Sequence, residues 1–158
     1  MKILMVCAGN ICRSPLAEGI MQQYITQNAL NWTVDSAGTE KYHVGQQPDE
    51  RSIETAQTHG IDISQQRARQ FNTNDLDNFD IIYVMDTHNY NELMRHWVEA
   101  NPKYDKKSYR DKIKFILNEV HPNQNRIVPD PYYGGMSGFE KVYTLLDEAC
   151  KVIAEKYK

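Results

Sequence analysis

The sequence predicts an α/β fold, a three-layer arrangement in which a four-stranded parallel sheet is covered by helices on both faces. Two observations support this class. Short runs of nearly uniform apolar character, such as residues 2–7 and 79–85, are typical of parallel strands that are buried on both sides. Stretches with apolar residues at helical spacing separate these runs, and this alternation indicates a parallel sheet. At 158 residues the chain is long enough to bury a core, and we expect one domain over residues 1–158.

The first half of the chain is predicted to form two strands and two helices. Residues 2–7 form the first strand. A helix follows, because Ser14 can cap a helix and Pro15 suits its first turn. Residues 32–36 alternate in character and predict a second strand. Asp49 then opens the second helix.

The second half supplies the other two strands. Residues 79–85 are β-branched, aromatic and apolar, which favours a strand. Asp86 can cap the helix after it. Residues 113–117 give the fourth strand, and residues 139–157 carry apolar side chains at helical spacing and predict the last helix. Because ligand sites of parallel sheets lie at the carboxyl ends of the strands, we expect the functional site there.

Composition excludes several classes of protein. The formal net charge is −3, and the one basic stretch, 103–114, is interrupted by Asp105 and Asp111, so we expect a solvated surface and no nucleic-acid partner. No apolar run approaches the ~18 residues that span a bilayer, and the start of the chain does not fit a signal peptide. We therefore expect a cytoplasmic monomer without a membrane partner.

The cysteines point to a reducing compartment. Cys7, Cys12 and Cys150 are too few for a disulfide scaffold, and thiols in the cytosol are more often catalytic or buried. Cys7 and Cys12 are not followed by a second Cys/His pair at ligand spacing. We therefore expect no metal and no cofactor.

Residues 7–15, Cys-Ala-Gly-Asn-Ile-Cys-Arg-Ser-Pro, join the first strand to the first helix. A loop that enters a helix N-terminus directs several N–H groups toward one anion, and the helix dipole adds a favourable field. The small Ala8 and Gly9 let the backbone turn tightly, and Asn10 tolerates left-handed geometry. Arg13 can place two N–H groups on phosphate oxygens. The segment therefore predicts a phosphate-binding loop.

Cys7 is the candidate nucleophile of this loop. Helix N-termini and nearby cations favour the thiolate form of a cysteine. Ser14 can donate its O–H to the sulfur and help the thiolate to leave at the end of the reaction. The alternative is that Cys7 and Cys12 are buried structural cysteines, which are common. The strand before the loop and the helix after it favour the nucleophile.

A phosphomonoester also needs a general acid for its leaving oxygen. Asp130 is the best candidate, because Pro129 and Pro131 restrict the backbone on both sides of it. Tyr132 and Tyr133 follow and can form an aromatic wall. The same segment also fits a rigid, proline-rich surface turn, and the segment alone does not separate these two interpretations.

These segments resemble the low-molecular-weight protein tyrosine phosphatases. Residues 6–15 match the nucleophile loop of that family, and residues 130–133 match its general-acid loop. Further matching segments occur in the family's order along nearly the whole chain: 35–39, 44–45, 48–49, 59–61, 68–70, 79–80, 85–86 and 139–143.

The resemblance implies a metal-independent hydrolysis of phosphotyrosine or another aryl phosphate in two steps, with inorganic phosphate as the product. Cys7 attacks phosphorus and forms a phosphocysteine, while Arg13 and the loop amides hold the oxygens. Asp130 protonates the leaving phenolate and then activates water. The implied phosphate-binding and supporting residues are Ala8, Gly9, Asn10, Ile11, Cys12, Ser14 and Ser36. The implied substrate cleft is formed by Tyr42, Tyr132 and Tyr133.

Three positions depart from the usual family pattern. Ala8 stands where a bulkier residue is common and widens that wall of the cleft, which affects peptide preference. Tyr42 replaces a frequent Trp, and Gln66 replaces a frequent His in the network that supports the loop. Because Gln can form hydrogen bonds but carries no charge, we expect modest effects on loop stability and pH dependence.

Cys12 has two interpretations. It can simply pack under the loop. The neighbouring thiols of the family suggest that, after peroxide has converted Cys7 into a sulfenic acid, Cys12 traps it as a reversible disulfide.

Two other functions fit parts of the sequence. Thioredoxin-coupled arsenate reductases share this fold and loop, but they relay oxidation through a downstream cysteine pair, and here Cys150 is alone. A phosphotyrosine-binding module with little turnover is the second alternative, and the intact Cys7, Arg13 and Asp130 argue against it. Sugar phosphates remain open as substrates.

Overall fold

One sheet of four parallel strands lies at the centre of the computed structural model, which describes residues 1–103 and 105–158. The strands are β1 (Lys2–Cys7), β2 (Thr33–Gly38), β3 (Ile81–Val84) and β4 (Ile113–Phe115). Their order across the sheet is β2-β1-β3-β4, and each pair is parallel. The strand order reverses beside β1, so the carboxyl end of β1 is the expected place for a ligand site. The predicted four-stranded parallel sheet is confirmed.

Six α-helices surround the sheet in the described part of the chain. They are α1 (Arg13–Gln27), α2 (Glu50–Thr58), α3 (Thr73–Asn78), α4 (Thr87–Glu92), α5 (Lys106–Lys112) and α6 (Met136–Tyr157). A π-helical turn, Leu93–Val98, continues α4, and a 3-10 turn, Ile116–Glu119, follows β4. None of these helices is both long and apolar enough to cross a membrane.

The two faces of β1 pack against different layers, because successive strand side chains point to opposite sides. Ile3 and Met5 lie in one apolar cluster with residues of α1 and α6. Leu4 and Val6 lie in a second cluster with residues of α3 and of the π-helical turn. All four side chains are fully buried, and each contributes roughly 1.5–3 kcal/mol relative to an exposed position. The predicted helix layers on both faces are thereby confirmed.

Side-chain caps fix the starts of four helices. Asp49 accepts a hydrogen bond from the N–H of Arg51 at the start of α2. Asn72 and Asp75 form a capping box on α3. Asp86 accepts from the N–H of Asn89 at the start of α4, as the sequence predicted. Asp105 caps α5, because its carboxylate accepts from the N–H groups of Lys107 and Ser108.

Some boundaries differ from the prediction. The strand predicted over residues 113–117 ends at Phe115, where the 3-10 turn begins. The basic stretch 103–114 contains α5, in which none of the residues is buried, so it has no apolar stripe that periodicity could detect. Within this stretch, Tyr104 lies outside the described residues.

Candidate active site

The loop between β1 and α1 is held from outside through its carbonyl oxygens. The bonds run from Thr39 N–H to Cys7 O (2.9 Å), from Glu40 N–H to Ala8 O (3.0 Å), from Asp49 N–H to Ile11 O (2.8 Å) and from Ser52 Oγ to Cys12 O (3.2 Å). In a trans peptide the carbonyl oxygen and the next N–H point in opposite directions. The N–H groups that follow these carbonyls therefore face the inside of the loop, where they can converge on an anion.

Close packing leaves little freedom to the loop backbone. Asn10 adopts a positive φ of 57°, the left-handed geometry that the sequence predicted for it. A Cβ on Gly38, at the end of β2, would lie 2.6 Å from the carbonyl oxygen of Ala8. A Cβ on Gly9 would lie 3.0 Å from the ring of His43. Glycine at both positions lets β2 and His43 pack directly against the loop.

The expectation that Ser14 caps α1 is wrong. The helix begins at Arg13, so Ser14 lies inside the first turn, and its Oγ is 3.0 Å from Cys7 Sγ. No side chain caps α1 within the described residues. The first N–H groups of the helix therefore add to the donors that the loop can offer an anion.

The side chain of Asn10 decides which way the hydrogen bonds beneath the loop run. The N–H of Arg69 donates to Asn10 Oδ1 at 3.0 Å, so the Nδ2 group is the donor on the other side. It donates to Ser14 Oγ at 2.8 Å and to Ser36 Oγ at 2.9 Å. Each hydroxyl therefore accepts from Asn10 and keeps its own proton for another partner. For Ser14, the sulfur of Cys7 lies 3.0 Å away and can accept that proton when it is a thiolate.

Glu18 completes this network on the side away from Cys7. Its Oε2 accepts the hydroxyl proton of Ser36 at 2.5 Å. Burial raises the pKa of Glu18 to about 7, and the nearby Asp35 adds to the rise, while the Ser36 bond and Arg69 oppose it. A carboxyl group with a raised pKa thus lies three hydrogen bonds from the hydroxyl that contacts the cysteine.

Arg13 joins the ends of three strands. Its Nη1 donates to Asp86 Oδ2 at 2.5 Å, just after β3, and to the carbonyl oxygen of Val128 at 3.0 Å, in the segment after β4. Its Nη2 lies 3.8 Å from Asp130 Oδ2. The guanidinium is almost fully buried, so its position is fixed before any substrate arrives.

A cleft of about 360 Å³ opens above the loop. The predicted residues that line it are Cys7, Ala8, Gly9, Ile11, Cys12, Arg13, Tyr42, Asp130, Tyr132 and Tyr133. The predicted Asn10, Ser14 and Ser36 are buried beneath the loop and act on it from below. Glu40 and His43 also line the cleft, and the sequence predicted no role for them.

Comparison with known proteins identifies this arrangement. A family model described as low molecular weight phosphotyrosine protein phosphatase matches residues 2–158. The chain belongs to the low molecular weight phosphotyrosine protein phosphatase family. The family member of Mus musculus is 40% identical over 156 residues, which make up 98% of this chain and 94% of the mouse protein.

Solved structures agree with the family assignment. The protein tyrosine phosphatase from Entamoeba histolytica is 39% identical, with a TM-score of 0.87, over 99% of this chain and 96% of that one. The Drosophila arginine phosphatase is 32% identical, with a TM-score of 0.89, over 100% of this chain and 98% of that one. The resemblance predicted from the sequence is confirmed, and this cysteine-based phosphatase fold does not favour the arsenate reductase alternative.

The other two cysteines of this phosphatase lie in different surroundings. Cys12 is buried but borders the cleft, and burial, with a smaller effect of Asp49, raises the pKa of its thiol to about 12. Cys150 lies in α6 and contacts the carbonyl oxygen of Ala17 in α1, where burial raises its pKa. The disulfide proposed between Cys7 and Cys12 stays a prediction.

Sequence reasoning missed several supporting residues of this phosphatase. Glu18 could have been found, because it lies one helical turn after Ser14 on the same face of α1. Asp86 was predicted only as a cap, yet it also pairs with Arg13. Gln66, the expected hydrogen-bonding substitute for His, donates from Nε2 to the carbonyl oxygen of Pro15 at 3.1 Å. Its Oε1 is buried and has no partner among the described residues.

Proposed function

We propose that this protein hydrolyses phosphotyrosine and related aryl phosphate monoesters through a phosphocysteine intermediate. One observation carries the proposal: the cysteine, the arginine and the carboxyl group predicted from separate segments border a single cleft. The family match supports the substrate class, because its model is described by phosphotyrosine.

Binding of the phosphate group depends on Arg13 and on the loop N–H groups. Arg13 uses Nη1 for Asp86 and Val128, which leaves Nη2 and Nε for two phosphate oxygens. The inward N–H groups of the loop supply the remaining donors. Because these donors are held before binding, little free energy is spent on orienting them.

In the first step, the Cys7 thiolate attacks phosphorus, and the bond between phosphorus and the phenolic oxygen breaks. Asp130 gives its proton to that oxygen, so the product leaves as a neutral phenol. In the second step, Asp130 takes a proton from water, which attacks phosphorus and breaks the P–S bond. Ser14 donates a hydrogen bond to the departing thiolate, 3.0 Å away. Inorganic phosphate and the free thiolate result.

Aromatic side chains support an aryl substrate. Tyr132 and Tyr133 pack edge to face, with ring centroids 4.9 Å apart, at the rim of the cleft. Tyr42 is exposed at the same rim. A phenyl ring that enters between these side chains can pack against them while its phosphate reaches the loop. The small Ala8 leaves one side of the entrance wide.

A substrate panel tests the proposal. We expect a phosphotyrosine peptide to give the highest kcat/KM, at least about tenfold above phosphoserine peptide, phosphoarginine and a sugar phosphate, because only its ring reaches the loop with aromatic contacts. Phosphoarginine belongs in the panel because one structural relative is named an arginine phosphatase. A clear preference for phosphoarginine or sugar phosphate would overturn the substrate class. Tight phosphotyrosine binding without turnover would favour the binding module instead.

We also propose that the protein acts as a cytoplasmic monomer and releases inorganic phosphate. Three free cysteines support a reducing compartment. Sedimentation at several protein concentrations measures the oligomeric state, and a concentration-dependent dimer would contradict the monomer.

A further inference from the structure

Arg51, in the first turn of α2, is tied to the loop that follows β1, residues 7–13, here called the phosphate loop. Its Nε and Nη2 donate to the two carboxylate oxygens of Asp49, each at 2.9 Å. Asp49 in turn donates its own N–H to the carbonyl oxygen of Ile11 at 2.8 Å. Two parallel bonds of this kind fix the plane of the guanidinium as well as its position.

The other side of the same guanidinium contacts residues 129–135, here called the acid loop. Nη1 of Arg51 donates to the carbonyl oxygen of Gly134 at 3.1 Å. The guanidinium carbon lies 5.5 Å from the ring centre of Tyr132 in this loop and 4.6 Å from that of Phe139 in α6, both within the range of cation–π attraction. Arg51 therefore links the acid loop to the phosphate loop through Asp49.

Near Asp130, the acid loop also touches the rest of the protein through Arg13, whose Nη2 lies 3.8 Å from Asp130 Oδ2, and through the buried Pro131. Its remaining hydrogen bonds there are internal. The bonds from Tyr132 N–H to Asp130 Oδ1 (3.1 Å) and from Gly134 N–H to the carbonyl oxygen of Pro131 (3.0 Å) lie within the loop. They shape the turn but do not attach it to the rest of the protein.

On its N-terminal side, the acid loop is anchored through Val128. The N–H of Val128 donates to the carbonyl oxygen of Met85 at 2.7 Å, and its own carbonyl oxygen accepts from Arg13. On the C-terminal side, the hydrogen bond from Arg51 Nη1 to the carbonyl oxygen of Gly134 anchors the loop. Asp130 lies between these two anchors.

We propose that Arg51 is a positioning residue, which holds the acid loop over the phosphate loop and so places the Asp130 carboxyl group at the leaving oxygen of the substrate. This inference rests on the proposed function, in which Asp130 is the general acid. An acid displaced by about 1 Å loses much of its effect on the rate, so the contacts of Arg51 have a kinetic consequence.

The choice of leaving group separates this role from general support of the fold. p-Nitrophenolate is a stable anion and leaves without a proton, whereas phenolate is basic and needs one. A misplaced acid therefore slows phenyl phosphate more than p-nitrophenyl phosphate. Loss of folded protein slows both equally, so their ratio within one variant does not depend on the folded fraction.

The experiment measures kcat/KM of Arg51→Gln for both substrates. We expect a fall of about tenfold with phenyl phosphate and of about twofold with p-nitrophenyl phosphate. Arg51→Lys keeps the charge but neither the paired bonds nor the planar stacking, so we expect an intermediate ratio. Inhibition by inorganic phosphate should change less than about twofold, because the phosphate loop keeps its own donors. The matched control is Arg126→Gln, because Arg126 is exposed, lies shortly before the acid loop and bonds to Gln124.

A double-mutant cycle with Asp130→Asn completes the test. If Arg51 acts through Asp130, Arg51→Gln causes no further loss with phenyl phosphate when Asp130 is already Asn. Equal losses with both substrates, or an undiminished further loss in the Asp130→Asn background, would overturn the role of Arg51 alone. If Asp130→Asn itself slows both substrates equally, the acid assignment in the proposed function fails, and the inference fails with it.

Discussion

The phosphate loop and the acid loop meet at one cleft but are built in opposite ways. Cys7 and Arg13 are each 3% exposed, and carbonyl bonds, buried hydroxyls and an ion pair fix their surroundings. The side chain of Asp130 is 48% exposed, and that of Tyr133 almost fully so.

This difference follows from the two tasks. Donors that stabilise a charged group act best when they are desolvated and held in place beforehand. In the proposed mechanism, Asp130 takes its second proton from a water molecule, and its exposure lets that water reach the carboxyl group. In the same proposed mechanism, the buried loop determines binding and attack, and the exposed loop determines the fate of the leaving group. Substitutions on the two sides should affect different steps.

Cys7→Ser removes the proposed nucleophile of the phosphate loop and has the largest expected effect. Turnover of p-nitrophenyl phosphate should fall by at least about 10⁴-fold, because serine is not ionised at neutral pH and cannot form the covalent intermediate efficiently. Calorimetry with inorganic phosphate should still detect binding, since Arg13 and the loop N–H groups remain. Wild-type-like turnover by this variant, or loss of wild-type activity on adding a chelator, would contradict the mechanism.

Asp130→Asn removes the proposed general acid of the acid loop and leaves the phosphate loop intact. We expect a fall of about 10²- to 10³-fold in kcat/KM for phenyl phosphate, because the amide has no proton to give. The inhibition constant of inorganic phosphate serves as the control and should stay within about twofold, since binding belongs to the other loop. A variant that loses phosphate affinity instead would show that the two loops do not divide the work in this way.

The same contrast explains how much the sequence could reveal. The phosphate loop was predictable because the nine adjacent residues 7–15 carry its donors, its turn and its nucleophile. The four strands were predictable from their apolar runs. Asp130 became a candidate only because a second segment fitted the first, since a proline-rich turn with an acidic residue is common on surfaces.

Contacts between distant segments were beyond local pattern reasoning. The partner of Asn10 is the N–H of Arg69, 59 residues later, and Arg13 pairs with Asp86, 73 residues later. Such pairs depend on which strands are neighbours and in which register, and the side-chain types alone do not specify this. Arg51 is a further example, because its contact with Gly134, 83 residues later, requires the α2 start and the acid loop to meet.

Cys12→Ser tests whether Cys12 protects Cys7 from irreversible oxidation. Condensation of a Cys7 sulfenic acid with the Cys12 thiol forms a disulfide and releases water, and dithiothreitol then restores both thiols. After a peroxide pulse we expect Cys12→Ser to regain several-fold less activity than wild type, because its sulfenic acid is oxidised further. Cys150→Ser is the control, since Cys150 is buried away from the cleft. Equal recovery by Cys12→Ser and wild type would reject the protective role.

Glu18→Gln should change activity least. It tests the buried hydrogen-bond network beneath the phosphate loop through its effect on stability. Burial raises the pKa of Glu18 from 4.5 to about 7 in the folded protein, so the folded state holds a proton that the unfolded chain releases between these values. Stability contributed by this group therefore falls as pH rises from 4.5 toward 7 and stays low above it. The difference of these pKa values corresponds to a cost of the order of 3 kcal/mol at alkaline pH.

Glutamine has no proton to lose, but its Oε1 can still accept the hydroxyl proton of Ser36, so Glu18→Gln should avoid this cost and leave the network standing. Urea unfolding at a series of pH values measures the effect. We expect the free energy of unfolding of the variant to rise relative to wild type by about 3 kcal/mol on going from about pH 4.5 to about pH 8. The charged groups around this site, Asp35, Asp62 and Arg69, are the same in both proteins and cancel in the comparison. Glu54→Gln, on the exposed side of α2, is the matched control and should give a curve parallel to wild type. A parallel curve for Glu18→Gln would show that the buried carboxyl group does not take up a proton on folding. A kcat lowered by more than about twofold at neutral pH would show that the charge of Glu18, and not only its hydrogen bond, orients Ser36 and Asn10 beneath the nucleophile.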